Sequence, residues 1–166
     1  LQVTLLMEAI WNIVEQRRIE FELVNSEQKL RELTNATQDM VFLKDAQFRY
    51  IMINEANLQF FNKSEEDVLD KTDFDLMPKA SAKKCRESDE RTLKEKRVVV
   101  TIEPVGNRIY ETRKFPVPLG KEIGIGGFIR DITEKVEVEK ITLLQSSALD
   151  SAADGMVISS INEIIE

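Results

Sequence analysis

The chain has 166 residues, 42% of them hydrophobic and 32% charged, with a formal net charge of −7. This suits one compact domain of roughly 100 residues with helical extensions. The acidic balance leaves no basic face for nucleic acid, and no apolar run approaches the about 18 residues of a membrane span. One cysteine, Cys85, excludes an internal disulfide and fits a reducing cytoplasm. The absence of histidine excludes a haem on a proximal histidine, a His-ligated zinc, a phospho-accepting histidine and Ser-His or Cys-His nucleophile activation within these residues.

Residues 1–34 read as a helix. Leu6, Ile10 and Ile13 form one apolar stripe, and Ile19, Leu23, Leu30 and Leu33 a second. Ser26 falls at a core position of the second frame, so the heptad signal is short. Two readings stay open: an amphipathic helix packed on its own domain, or a parallel dimer stalk. After a break at Asn35–Asp39, residues 40–45 and 48–53 read as a hairpin turning at Asp45-Ala46-Gln47. Asn54 is placed to cap a short helix. Ser64 with Asp67, and Thr72 with Asp75, have capping-box spacing.

Residues 79–97 read as a longer helix rich in both charges. Its lysines and arginines could form an anion site, but interspersed opposite charges favour a solvated face. Three strands follow: Val98–Glu103, Ile109–Pro116 and Ile123–Asp131, with turns at Gly106-Asn107 and at a Pro-Leu-Gly in 117–121. Gly124, Gly126 and Gly127 lie inside the last strand rather than before a helix. They predict close backbone approach or a bulge, not a phosphate loop. An EF-hand counted from Asp73 would put Pro78 at the glycine position, and it fails. Residues 134–149 regain a helical period, with Asp131 or Thr133 accepting a backbone N–H at its start. The order strand, strand, helices, three strands is an α+β layout: a five-stranded antiparallel sheet with helices on one face.

The stretch Arg130-Asp131-Ile132-Thr133-Glu134, running from a strand into a charged helix, resembles the C-terminal end of a PAS sensor domain. Lys71-Thr72-Asp73-Phe74-Asp75-Leu76-Met77-Pro78 resembles the Lys-Thr-Asp-Phe-Asp-Leu-Phe-Pro stretch of one PAS subgroup, and Asn54 matches the asparagine that ends the second PAS strand. The resemblance implies a PAS domain over 35–134, a linker or signalling helix over 1–34 that faintly resembles the closing helix of a GAF domain, and a connecting helix over 135–150. Residues 149–158 resemble the opening of a second PAS domain, expected to break the helix and begin a strand, with 151–166 as its incomplete start. Asp73 stands where flavin-adduct PAS domains carry their cysteine, so that photochemistry is disfavoured; Cys85 lies further on.

The resemblance further implies a small-molecule cleft between the sheet and the helices Asn54–Asn62 and Thr72–Met77. Its candidate lining is Phe42, Met52, Phe60, Phe61, Phe74, Met77, Tyr110 and Phe128, although large apolar residues are more often plain core. It implies a cytoplasmic sensor, homodimeric through its flanking helices and linked to neighbouring PAS or GAF domains. The effector elsewhere on the chain would be a histidine kinase or a diguanylate cyclase. Asp131, Ile132 and Thr133 would relay the signal, with Asp131 expected to pair with a base on the opening hairpin, Lys44 or Arg49. No convergent catalytic groups are visible in the sequence.

Overall fold

The computed structural model describes the backbone of residues 2–164 and the side chains of residues 4–148. The elements are α1(Gln2–Asn35), β1(Met40–Lys44), β2(Tyr50–Ile53), α2(Glu55–Phe61), α3(Glu65–Val68), α4(Asp73–Leu76), α5(Lys79–Glu95), β3(Val99–Val105), β4(Arg108–Leu119), β5(Glu122–Asp131) and α6(Thr133–Ile164). The strands make one five-stranded sheet in the order β2-β1-β5-β4-β3, antiparallel as the chain order predicts. The chain divides into two compact units, Leu1–Val99 with Arg113–Ile129, and Val100–Thr112 with Arg130–Glu166.

In the first unit, β1 lies beside β5 with Phe42 opposite Gly127 and Lys44 opposite Ile125. Successive strand residues point to opposite faces. On the inner face, Phe42, Tyr50, Ile53 and Val68 form the core, with Leu58, Phe61, Leu69, Leu76 and Ile129 packed around them. The adjacent glycines of β5 explain themselves here. The Phe42 ring lies over Gly127, and the Phe115 ring sits 2.5 Å from where a Cβ of Gly126 would stand. One strand thus accepts an aromatic ring on each face, which is the close approach expected from the glycine run.

The short helices start where their caps predict. Ser64 and Asp67 form the capping box of α3, and the Asp75 carboxylate accepts from the Thr72 N–H at 2.8 Å and its hydroxyl at 2.7 Å. Asn54 is buried and does more than cap α2. Its Oδ1 accepts from the Val41 N–H and the Asn57 N–H, and its Nδ2 donates to the carbonyls of Thr34 and Asp39. It therefore ties the end of α1 to β1 and α2. Arg31 adds a two-pronged contact to Glu65 at 3.0 and 3.1 Å.

Several expectations need correction. Along α1, Leu6, Ile10, Ile13, Ile19, Leu23, Leu30 and Leu33 are all more than half exposed, so the helix does not pack lengthwise on its own domain. β2 begins at Tyr50 rather than Phe48. The Asp45 carboxylate accepts from the Gln47 and Arg49 N–H groups and extends the turn, leaving Phe48 in a left-handed conformation at φ 64°. β4 continues past Pro116 and Pro118 to Leu119, and the turn expected within 117–121 falls at Gly120-Lys121. The two-residue Gly106-Asn107 connection joins β3 to β4, its neighbour in the sheet. The expected break and strand at 149–158 are not found, because α6 runs unbroken to Ile164. A strand needs a neighbour for its backbone groups, whereas a helix satisfies them internally. The side chains from 149 onward, and residues 165–166, lie outside the described residues, and a second domain there is not shown.

Overpacking a dense core costs roughly 1–3 kcal/mol. Gly127→Ala should lower the urea midpoint accordingly at unchanged slope, and adding Phe42→Leu should recover part of the loss; equilibrium urea unfolding of the three variants checks both.

Candidate functional site

Parity places a lysine at the inner end of β1. Met40 and Phe42 face the core, so Lys44 must also face it, and it is 1% exposed. Its Nζ donates to Asp73 Oδ2 at 2.6 Å and to Asp89 Oδ2 at 2.9 Å. The rings of Tyr50 and Phe42, with centroids at 4.7 and 5.3 Å, also lie close to the ammonium. Lys114 reaches in from β4. Its three donors go to Asp89 Oδ1 at 2.5 Å, Ser88 Oγ at 2.7 Å and the Cys85 carbonyl at 3.1 Å. The Tyr50 hydroxyl donates to Asp73 Oδ1 at 2.8 Å. The result is a buried chain, Tyr50–Asp73–Lys44–Asp89–Lys114, with two lysines and two aspartates and no net charge.

Each member is placed by its own element. Asp73 opens α4, the helix that Thr72 and Asp75 start. Asp89 lies on the α5 stripe Ala82, Cys85, Asp89 and Thr92, whose spacing of three and four residues marks one helix face. Ala82, Asp89 and Thr92 are buried on that face, and its small side chains leave room for the lysines. Burial is the largest influence on Lys44 and disfavours its charge. The charges of Asp89 and Asp73, with their hydrogen bonds, outweigh it and hold the ammonium above its ordinary range. Burial, with Asp73 beside it, pushes the Tyr50 phenol well up. Burial also raises the Cys85 thiol, whose sulfur sits 4.0 Å from that of Met77; a raised thiol is a poor nucleophile.

The residues proposed from the sequence to line a cleft are distributed differently. Phe42 and Phe61 belong to the core around Tyr50, at ring distances of 5.8 and 6.1 Å. Phe60 stacks edge-on against Phe61 and is half exposed, as is Phe74. Met52, paired with Leu43 across β1 and β2, and Met77 are half-buried. Phe128 lies on the outer face of the sheet, stacked on Phe115 at 5.6 Å. Tyr110 is buried in the second unit. Beside the apolar cluster around Tyr50, charged groups lie buried between the inner sheet face and α4 and α5. This charged cluster went unrecognised in the sequence; the α5 spacing of Ala82, Cys85, Asp89 and Thr92 was the available signal, and the parity of Lys44 with Met40 and Phe42 follows only once the inner face is known.

In the second unit, β5 passes into α6 through three residues. The Asp131 Oδ1 accepts from the Thr133 N–H at 3.0 Å and from its hydroxyl at 2.5 Å. Thr133 Oγ1 in turn accepts from the Ile109 N–H at 2.9 Å, while the Ile132 N–H donates to the Ile109 carbonyl at 2.8 Å. Ile132 is buried. Asp131 Oδ2 pairs with Arg108 at 2.9 Å, not with Lys44 or Arg49. Lys44 is held by the two aspartates, and Arg49 pairs with Asp45. The register explains the difference: Lys44 is opposite Ile125, six residues before Asp131, whereas Arg108 begins β4 beside the end of β5. Thr133 first, then Arg108, hold the Asp131 carboxyl below the usual carboxylate range.

Removing one partner of a buried ion pair typically costs about 3–5 kcal/mol. Lys44→Met should destabilise the fold by this order. Replacing Lys44, Asp73, Asp89 and Lys114 together by apolar residues should recover most of it, as read by urea unfolding. The folded chain also holds protons on Lys44 and Tyr50 more tightly than the unfolded chain does. Their contribution is full below the unfolded values and is lost as pH rises through the folded ones, so stability should fall above about pH 10. Thermal melts between pH 7 and 11 check this, and Tyr50→Phe should flatten part of the slope.

A family model described as the PAS fold matches residues 34–137. The uncharacterized protein y4lL of Sinorhizobium fredii is 29% identical over 73 residues, 44% of this chain and 9% of that protein's length. Among solved structures, the PAS domain of Bordetella pertussis BvgS is 25% identical with a TM-score of 0.56, covering 74% of this chain and 98% of that one. The phage VqmA–DPO complex is 18% identical with a TM-score of 0.57, covering 76% and 62%. A domain of an HTR-like protein from Haloarcula marismortui is 16% identical with a TM-score of 0.54, covering 58% and 100%. The family model spans more than half of the chain and the sheet and helices agree with it: the chain belongs to the PAS family of sensory domains.

Proposed function

We propose that this PAS domain is the cytoplasmic sensory module of a larger signalling protein and that it relays a ligand or partner state through α6 to an effector elsewhere on the chain. A sensor histidine kinase is the effector we favour and a diguanylate cyclase the alternative. The chain's own lack of histidine places kinase chemistry outside these residues. The observation that carries the reading is the joint at Asp131. There a strand end, a helix start and the base of β4 share hydrogen bonds through Asp131, Thr133, Ile109 and Arg108. Such a joint lets a change in the sheet bias the helix, provided the stimulus has different affinities for the two packings.

A second reading has its own support. The ionic chain occupies the space beneath α4 and α5, and α1 and the first part of α6 present exposed apolar residues, among them Leu23, Leu30, Leu33, Ile141 and Leu144. This favours a domain that is homodimeric through its flanking helices and reports a partner's state rather than an interior ligand. In both readings residues 35–134 act as the sensing unit, with helices 1–34 and 135–150 as its input and output.

In the full-length protein, Asp131→Ala and Arg108→Ala should each shift effector output roughly fivefold or more. The double variant should add little, because both act on one joint. Unchanged autophosphorylation or cyclase activity in both single variants would remove the support for a relay. Sedimentation of the chain with Leu23→Glu and Leu30→Glu should show a monomer where the parent is a dimer.

A further inference from the structure

Arg86 stands apart from the other cations of the inner α5 region. Lys44 and Lys114 are matched by aspartates. No hydrogen bond or ion pair from any described residue reaches a nitrogen of Arg86, and its Nε is buried without a partner. What holds the side chain is aromatic. The guanidinium carbon lies 3.9 Å from the centroid of Phe48 and 5.6 Å from that of Phe74. A guanidinium held over a ring spends none of its N–H donors on a hydrogen-bond acceptor there. Arg86 therefore combines a side chain held against two rings, a buried Nε without a partner and a charge that no described carboxylate pairs, in a chain whose net charge is −7. Planar, fork-shaped donors of this kind suit the paired oxygens of a carboxylate or phosphate.

The surroundings are equally specific. Phe48 is supplied by the β1–β2 turn, in a left-handed conformation that bulky residues rarely adopt. The turn is fixed by the Phe48 N–H to the Asp45 carbonyl and by the Asp45 carboxylate. Phe74 comes from α4, adjacent to Asp73 of the ionic chain, and remains 45% exposed. Three elements thus meet at one guanidinium: the hairpin turn, α4 and α5. We propose that Arg86, clamped by Phe48 and Phe74, anchors a site for the oxyanion of a small molecule, a carboxylate or a phosphate. Occupancy would tie the hairpin turn to α4 and α5 more firmly, and the inference rests on the sensory reading only for what that binding is used to signal.

The test is a titration of the 166-residue chain with sodium phosphate and with sodium succinate, against sodium chloride at matched ionic strength. Two readouts are used: the thermal midpoint and the NMR signal of the Arg86 Nε–Hε group. A saturable rise of a few degrees together with a saturable shift of the Arg86 signal is expected, with both lost in Arg86→Met. A response to phosphate alone assigns a phosphoryl ligand, and a response to succinate alone a carboxylate. If neither anion moves the Arg86 signal of the parent chain, or if Arg86→Met shows the same midpoint rise, the site does not exist. The NMR arm uses the parent chain and stays decisive if the variant fails to fold. Failure here leaves the relay test at Asp131 standing, since that test reads effector output without any ligand.

Discussion

The ionic chain Asp73–Lys44–Asp89–Lys114 is the constraint on which the first unit depends. Four charges taken out of water are expensive, and only mutual neutralisation with full hydrogen bonding makes them tolerable. Here Lys114 has all three donors used, Lys44 is held by two carboxylates beside two rings, and Asp73 takes a hydrogen bond from the Tyr50 hydroxyl. Such an arrangement stabilises one packing more by excluding others than by its own net energy. An α4 or α5 displaced by a turn would strand a charge, whereas a purely apolar interface could slide. The position of both helices on the sheet is therefore set by electrostatics, and the apolar cluster around Phe42 and Tyr50 fills the remaining volume.

β5 is the second organising element, for a steric reason. Its paired glycines let Phe42 lie on one face and Phe115 on the other, so β1 and β4 approach it closely. The same strand ends at Asp131, where the backbone turns into α6 within three residues. No slack loop separates sheet from helix, and the hydrogen bonds of Ile109 with Ile132 and Thr133 hold the helix start to β4. Backbone continuity and this local clasp join the end of β5 directly to the start of α6.

The junction of α1 with the sheet is built on similar lines with different residues. Asn54 binds the Thr34 carbonyl at the end of α1, the Asp39 carbonyl before β1, and the N–H groups of Val41 in β1 and Asn57 in α2 through one buried side chain. A change in the direction of α1 would act first on this amide and on the Arg31–Glu65 contact. The long helices at both ends carry exposed apolar residues over their described lengths, among them Leu23, Leu30, Leu33, Ile141 and Leu144.

Much of the architecture was readable from local chemistry. Capping pairs at Ser64–Asp67 and Thr72–Asp75, the cap at Asn54, the hairpin over 40–53 and the strand–helix junction at Asp131 depend on residues close in sequence, so short-range rules reach them. Face parity was not readable, because alternation along β5 does not say which side the helices cover; this put Phe128 outside and Lys44 inside. The partner of Asp131 depended on strand register, which brings Arg108 rather than the opening hairpin to the end of β5. The burial of Lys114 and Asp89, and the approach of Arg86 to Phe48 and Phe74, join residues 25 or more apart or on separate elements. Charge counted along a helix looks solvated, and only the packing of that helix on the sheet shows which charges lost their water. Local hydrogen bonding was thus determined by the sequence alone, while long-range electrostatic pairing was decided by the tertiary structure.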